Sequence, residues 1–189
     1  INSVKETHLL PHSTLFVNLE PCSHYGKTPP CAKLIIEKKI PHVVVGSLDP
    51  FPEVSGRGIK MLKEAGVKVE VGICQKECDE LNKRFFTFHQ KKRPFVLLKF
   101  AQSADGFLAK KGERTPLSTP QTQLLVHKIR SEEDAILVGK NTAIIDNPQL
   151  NARCWDLKKN PLRMVIDKNL EIPQTHHLFD NQQPTIVFT

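Results

Sequence analysis

The sequence predicts an α/β protein whose strands form largely parallel sheets. Short apolar segments alternate with amphipathic segments in the first half of the chain, which is the pattern of repeated βαβ units. The basic segment 91–93 is followed by Pro94 and interrupts this pattern, and the alternation then starts again. We therefore expect two domains, one over residues 1–91 and one over residues 94–189.

The first domain is expected to contain three strands and three helices. Apolar segments predict strands over residues 14–18, 42–46 and 67–71. Amphipathic segments predict helices over residues 31–38, 56–65 and 77–90. The last helix should carry Leu81, Phe85 and Phe88 on one face. Gly66 follows the second helix and can end it, because glycine readily adopts the left-handed conformation.

Two shorter segments of the first domain also carry expectations. Residues 56–59 read Gly-Arg-Gly-Ile at a helix start. Such a start can bind phosphate, but this one is too short for a dinucleotide fingerprint, so we expect it to cap and pack the helix. Residues 1–8 are expected to be the tail of a further helix.

The second domain repeats the alternation of strand and helix. Strands are predicted over residues 95–102, 135–139, 163–166 and 185–188. A helix is predicted over residues 119–130, where Thr119 is a suitable N-cap and Pro120 suits the first turn. Lys99 lies inside an apolar predicted strand, and burial of its charge would be costly unless it were paired or functional.

The most informative segment is residues 19–31, Leu-Glu-Pro-Cys-Ser-His-Tyr-Gly-Lys-Thr-Pro-Pro-Cys. It places Cys22 and Cys31 nine positions apart on a loop whose ends are stiffened by proline. Thiolates held in this way are good zinc ligands. His24 and Lys27 add donor or cationic groups, which an anionic substrate would require. The sequence therefore predicts a zinc enzyme rather than a pair of buried structural thiols.

Residues 21–31 resemble the Pro-Cys loop of the bifunctional riboflavin-biosynthesis deaminase/reductase family. The second half of the chain carries further segments similar to that family: Lys99-x3-Ser103-x-Asp105-Gly106, residues 135–139, Asp146-Asn147-Pro148-x-Leu150-x2-Arg153 and residues 165–167. The resemblance implies a cytidine-deaminase-like three-layer domain followed by a dihydrofolate-reductase-like α/β domain. It also implies that the chain lacks both ends of the family's length.

For the first domain, the resemblance implies zinc-dependent hydrolytic deamination of 2,5-diamino-6-ribosylamino-4(3H)-pyrimidinone 5′-phosphate. Cys22 and Cys31 would bind Zn²⁺, and His24, Lys27 and Asp49 would contact the substrate. The third zinc ligand and the proton-shuttling Glu belong to a His-Ala-Glu segment, which we expect before Ile1. The family often has Asn at the position of Phe51, which puts one substrate contact in doubt. Asp49 can alternatively serve as a turn residue before proline.

For the second domain, the resemblance implies reduction of the ribosyl chain to a ribityl chain by NADPH. The implied substrate contacts are Lys99, Arg130, Leu150 and Arg153. The implied cofactor contacts are Ala101, Thr142 and Asp146. Arg114 and Pro116 depart from the Ser and Trp that are usual in the family.

Composition narrows the possible partners. The formal net charge is +7, but the basic residues are dispersed and the chain has one Trp and one Tyr, so nucleic acid is not expected. No apolar run approaches the length of a membrane span. The odd number of cysteines, 5, argues against a disulfide framework and fits a reducing cytoplasm. The family resemblance implies a homo-oligomer, either a dimer or a tetramer.

Two alternatives remain open at this stage. One is a degenerate deaminase domain that serves as a scaffold for an active reductase. The other is a nucleic-acid-modifying zinc deaminase with a basic partner domain, against which the long Cys-x8-Cys loop argues.

Overall fold

The computed structural model describes residues 1–51, 54–153 and 160–189. The chain divides into two compact units, Ile1–Leu97 and Leu98–Thr189. Each unit has a three-stranded, all-parallel sheet, so the predicted α/β class is confirmed. Among the described residues, no helix is both long and apolar enough to cross a membrane.

The first unit carries its sheet in the order β1-β2-β3. Its elements are a 3₁₀ helix at Thr7–His12, β1 at Thr14–Leu19, α1 at Cys31–Glu37, β2 at His42–Ser47, α2 at Arg57–Glu64, β3 at Lys68–Val71, α3 at Gln75–Leu81 and α4 at Lys83–Lys91. All three predicted strands are therefore present. β2 lies at the centre, and its Val43 and Val45 are fully buried with Ile35 of α1 and Leu62 of α2. Gly66 follows α2 with φ of 81°, as expected.

Two expectations for the first unit are wrong. The predicted helix over residues 77–90 is two helices, because the chain breaks at Asn82, whose side-chain amide donates to the carbonyl of Cys78. The break separates the residues meant to share a face, and Leu81 and Phe88 are exposed. Residues 1–6 form no α-helix, and the 3₁₀ helix that follows contains Pro11, which lacks the N–H that a longer helix needs.

The second unit carries its sheet in the order β4-β5-β6. Its elements are α5 at Pro120–Glu132, β4 at Ala135–Gly139, α6 at Lys140–Asp146, β5 at Leu162–Ile166, a 3₁₀ helix at His177–Phe179 and β6 at Thr185–Phe188. The expected helix start is confirmed, because the Thr119 hydroxyl accepts a hydrogen bond from the N–H of Thr122 at 3.2 Å. Val165 of the central strand β5 is fully buried against Ala143 of α6.

The predicted strand over residues 95–102 is absent. Apolar residues make a strand only when a neighbouring strand satisfies their backbone groups, and the described part of this segment pairs with none. Leu98, Lys99 and Phe100 are exposed instead, so the burial argument for Lys99 does not apply. The segment ends in a turn at Gly106, whose φ is 86°.

A buried guanidinium joins β5 to the second 3₁₀ helix and to the residue that follows it. Arg163 of β5 is 1% exposed, and its Nη1 donates to Asp180 Oδ1 at 2.8 Å and to the carbonyl of His177. Burying a charge is costly unless it is paired and hydrogen-bonded, and Asp180 and the His177 carbonyl supply partners to Nη1, whereas the buried Nε has no hydrogen-bond partner among the described residues. Hydrogen bonding from Arg163 lowers the pKa of Asp180.

This ion pair predicts a loss of stability in acid. A carboxyl with a lowered folded-state pKa stabilises the fold above its unfolded pKa, and that contribution is lost as the pH falls through the folded value. We expect the free energy of unfolding of the second unit to fall below about pH 4. Urea titrations at several pH values should show this fall in the wild type and a smaller one in Asp180→Asn. Glu132→Gln, at an exposed site on α5, is the control and should behave as the wild type. An unchanged acid response in Asp180→Asn would contradict the account.

Candidate active site

The second unit contains a cavity of about 640 Å³. Of the seven residues that the family resemblance assigns to the reductase, six line it: Lys99, Ala101, Arg130, Thr142, Asp146 and Arg153. The structure does not bring Leu150 to the cavity wall, because its side chain is buried in the core. Arg114 and Pro116, the two departures from the family pattern, also line the cavity.

Helical spacing brings the lining side chains together. Thr142 and Asp146 are four residues apart on α6, and His127 and Arg130 are three residues apart on α5. Residues three or four apart lie on the same face of a helix, so each helix presents a pair of polar side chains to the cavity. α6 begins directly after β4, which places its first turn at the carboxyl edge of the sheet, the usual ligand edge in α/β proteins.

The backbone carbonyl of Asn151 joins α5 to the loop after α6. It accepts hydrogen bonds from His127 Nδ1 at 3.1 Å and from Arg130 Nη1 at 3.2 Å. In the same loop, Arg153 Nη1 donates to the side-chain oxygens of Gln149 at 3.0 Å and Asn151 at 2.6 Å. These bonds fix the positions of the two guanidinium groups at the cavity.

The charge in the cavity favours an anionic ligand. Burial and the positive charge of Arg153 both lower the pKa of Arg130. The side chains of Lys99 and Arg114 add further cations, and Asp146 adds one carboxylate. An anion bound beside both guanidiniums would offset the Arg153 charge that disfavours the charge of Arg130, and Arg is well shaped to bind phosphate oxygens in pairs.

Sequence reasoning missed His127, which is buried and lines the cavity. Burial and the charges of Arg130 and Arg153 lower its pKa. The signal was available, because a His three residues before a candidate phosphate-binding Arg must share its face on a helix.

In the first unit, the two thiols of the Pro-Cys loop meet at the start of α1. The backbone N–H of Cys31 donates to Cys22 Sγ at 3.3 Å, and the N–H of Ala32 donates to the Cys22 carbonyl at 3.1 Å. Burial and the hydrogen bond with Cys22 raise the pKa of the Cys31 thiol. His24 and Lys27 are exposed on the loop.

The described residues complete no zinc site. Catalytic zinc takes three protein ligands, and no group of three His, Cys, Asp or Glu side chains that could hold a metal occurs in the described part of the chain. Cys22 and Cys31 therefore fit as two members of a ligand set whose third member is not among these residues. His8 and His12 are exposed on the 3₁₀ helix before β1.

A buried carboxylate holds the Pro-Cys loop against α2. Glu20, 4% exposed, directly precedes Pro21 and Cys22. Its carboxylate accepts four backbone hydrogen bonds, from Asp49 at 3.3 Å, Gly56 at 2.9 Å, Gly58 at 3.0 Å and Ile59 at 3.3 Å. It therefore fills the start of α2, which confirms that residues 56–59 cap and pack rather than bind phosphate. Sequence reasoning assigned Glu20 no role.

Asp49 has a structural role in this arrangement. It is buried, and its Oδ1 accepts a hydrogen bond from the N–H of Phe51 at 2.9 Å, which is the turn geometry expected of Asp before Pro. The Phe51 ring packs edge-on against the ring of His89, with 5.5 Å between centroids. Contact of Asp49 with a substrate stays a prediction.

Comparison with known proteins decides the family. The RibD C-terminal domain profile matches residues 94–189, which include every residue that lines the cavity. The chain belongs to the RibD C-terminal domain family. Riboflavin biosynthesis proteins RibD are similar over most of the chain, with 43% identity over 179 residues in Aquifex aeolicus and 40% over 181 residues in Chlamydia pneumoniae, in each case 94% of this chain. The matches cover 50% and 48% of those proteins, so the chain spans about half their length.

Solved structures give the same result. A Thermotoga maritima protein, described as a diaminohydroxyphosphoribosylaminopyrimidine deaminase/5-amino-6-(5-phosphoribosylamino)uracil reductase, superposes with a TM-score of 0.85 at 41% identity, over 93% of this chain and 50% of that one. Acinetobacter baumannii RibD superposes with a TM-score of 0.82 at 36% identity, over 92% of this chain and 51% of that one. This RibD-family chain therefore matches about half the length of each of these solved proteins.

The close approach of α2 to the Pro-Cys loop predicts the effect of one added methyl group. A Cβ on Gly58 would lie 1.8 Å from the backbone oxygen of Pro21, so the loop or the helix must move. Gly58→Ala should lower the free energy of unfolding by about 1–3 kcal/mol. Gly26→Ala, where a Cβ meets nothing within 4 Å, should change it by less than about 0.5 kcal/mol. Chemical denaturation measures both, and equal effects would contradict the described contact.

Proposed function

We propose that the second unit is an NADPH-dependent reductase of riboflavin biosynthesis, which reduces the ribosyl chain of 5-amino-6-(5-phosphoribosylamino)uracil to a ribityl chain. The observation that supports this most directly is that one cavity is lined both by residues matched to substrate contacts and by residues matched to cofactor contacts. Family membership over residues 94–189 supports the same reaction class.

The charges in the cavity suggest how the ligands divide it. Arg130 and Arg153, both hydrogen-bonded to Asn151, would bind the substrate's phosphate group. Lys99 is exposed, lines the same cavity and would donate hydrogen bonds to the sugar oxygens. Thr142 and Asp146, on one face of α6, would orient the cofactor. NADPH, when bound, supplies the hydride, and the protein's part is to hold the sugar carbon and the cofactor in a reactive orientation.

This assignment predicts a defect in substrate binding when a phosphate contact is weakened. Arg130→Lys and Arg153→Lys each keep the positive charge but lose paired hydrogen bonding, so each should raise KM for the phosphorylated substrate about tenfold or more. Lys128→Gln, on an exposed position of α5, is the matched control and should leave KM unchanged. The absorbance loss of NADPH measures the rate, and cofactor fluorescence measures NADPH binding separately. Unchanged KM in both arginine variants would contradict the assignment.

We infer a second activity for the first unit, hydrolytic deamination of the pyrimidine at a zinc site. The supporting observation is that Cys22 and Cys31 lie together at the start of α1, on a loop that Glu20 secures. These two residues would supply thiolates to zinc, and the third ligand would come from outside the described residues. His24 and Lys27 are free to reach an anionic substrate from their exposed loop positions. The alternative is a degenerate domain that serves only as a scaffold, and a metal-binding test distinguishes it from an active deaminase.

Cobalt(II) as a probe for zinc tests the thiol pair. Thiolate ligation gives cobalt a charge-transfer absorption, so the wild type should show this band, and both Cys22→Ser and Cys31→Ser should lose most of it. Cys74→Ser removes an exposed thiol next to α3 and should keep the band. A band that survives in both loop variants would contradict the proposed ligands. No band in the wild type would favour the scaffold alternative.

The remaining parts of the proposal concern the class of substrate, the oligomeric state and the location of the protein. The substrate would be a small phosphorylated pyrimidine rather than nucleic acid, and the protein would act as a homo-oligomer in the cytoplasm. The nucleic-acid deaminase alternative is disfavoured because the reductase family match covers the whole second unit from Leu98 onward.

A further inference from the structure

The tautomer of His127 follows from its hydrogen bond. A carbonyl oxygen can only accept, so the contact between His127 Nδ1 and the carbonyl of Asn151 at 3.1 Å requires a proton on Nδ1. In the neutral imidazole, Nε2 then carries a lone pair and no proton. The same carbonyl accepts from Arg130, so the ring is held beside that guanidinium.

The surroundings of His127 oppose its protonation while the cavity is empty. His127 is buried, and its pKa is lowered by burial and by the charges of Arg130 and Arg153. Arg130 lies on the same helix, and Arg153 lies in the loop that provides the Asn151 carbonyl. The other charged or titratable groups on the cavity wall are Asp146 of α6, Lys99 and Arg114 of the preceding segment, and His177 of the second 3₁₀ helix.

A bound anion would reverse this balance. A doubly charged oxyanion between the guanidiniums of Arg130 and Arg153 would outweigh the local field that disfavours imidazolium. Because His127 lines the same cavity, an anion oxygen that reached its ring would meet the unprotonated Nε2 as one acceptor against another, which is unfavourable. A proton taken up from solvent at Nε2 removes that conflict and adds a third charge-assisted hydrogen bond.

We propose that His127 is a proton-linked part of the anion site formed with Arg130 and Arg153. It is neutral in the empty cavity and becomes doubly protonated when a phosphate-ester dianion binds. This inference rests on the proposed function in that it places the substrate's phosphate at the two arginines. It adds that phosphate binding takes up a proton, so the affinity for the anion weakens as the pH rises.

Sulfate is the appropriate probe, because it stays doubly charged over the working pH range whereas phosphate itself titrates. Histidine ring resonances in NMR spectra of the full 189-residue chain report protonation of each of its 8 His, and long-range ¹⁵N correlations report the tautomer. Saturating sulfate should raise the pKa of His127 by at least about one unit, which is a tenfold change in proton affinity. The same spectra without sulfate should show His127 protonated on Nδ1 alone at neutral pH.

Two variants separate a proton-linked role from simple packing. In His127→Asn, the side-chain amide can still donate to the Asn151 carbonyl but cannot titrate, so sulfate affinity should become nearly independent of pH while the chain stays folded. His177→Asn removes the other histidine on the cavity wall and should keep the wild-type pH dependence. Calorimetry in buffers of different ionisation enthalpy measures the protons taken up.

The outcomes are distinct from those of the reductase test. An unchanged His127 pKa in saturating sulfate, an equal rise at His177, or no response of any ring to sulfate would each overturn this inference. A chain that binds and oxidises NADPH normally would leave the proposed reductase intact in those cases. A raised His127 pKa in a chain that fails to bind NADPH would support the anion site and contradict the reductase.

Discussion

The carbonyl oxygen of Asn151 is the contact on which the candidate active site depends. It accepts hydrogen bonds from His127 and Arg130 of α5 and so ties that helix to the loop after α6. His127 and Arg130 of this helix therefore line the cavity together with Arg153 of the loop. A mobile guanidinium would lose entropy on binding a ligand, and this bond removes part of that cost before the ligand arrives.

Each unit uses a buried charge to fix a backbone segment. Glu20 accepts four backbone N–H groups in the first unit, and Arg163 donates to Asp180 and to a backbone carbonyl in the second. Both charges are almost fully buried, so their partners are obligatory rather than incidental. In the first unit the result is that the segment leading into Cys22 is held against the start of α2.

The sequence predicted what depends on local pattern and missed what depends on partners distant in the chain. β2 contains a run of three valines, and α5 begins with Thr119 as its N-cap followed by Pro120 in the first turn. Both elements were therefore predictable from the sequence. Residues 95–102 look like a strand by composition, yet strand formation also requires a neighbour. Glu20 binds residues 29 to 39 positions later, and the Asn151 carbonyl has no side-chain signature at all. Neither contact could be read from spacing.

In the proposed reductase, NADPH and the phosphorylated substrate bind in one cavity. A crystal structure of the chain grown with NADPH tests this claim most directly. We expect the nicotinamide in the cavity beside Thr142 and Asp146, with Arg130 and Arg153 still open to a phosphorylated substrate. Cofactor bound elsewhere in the chain, or its own phosphates seated on both arginines, would contradict the account.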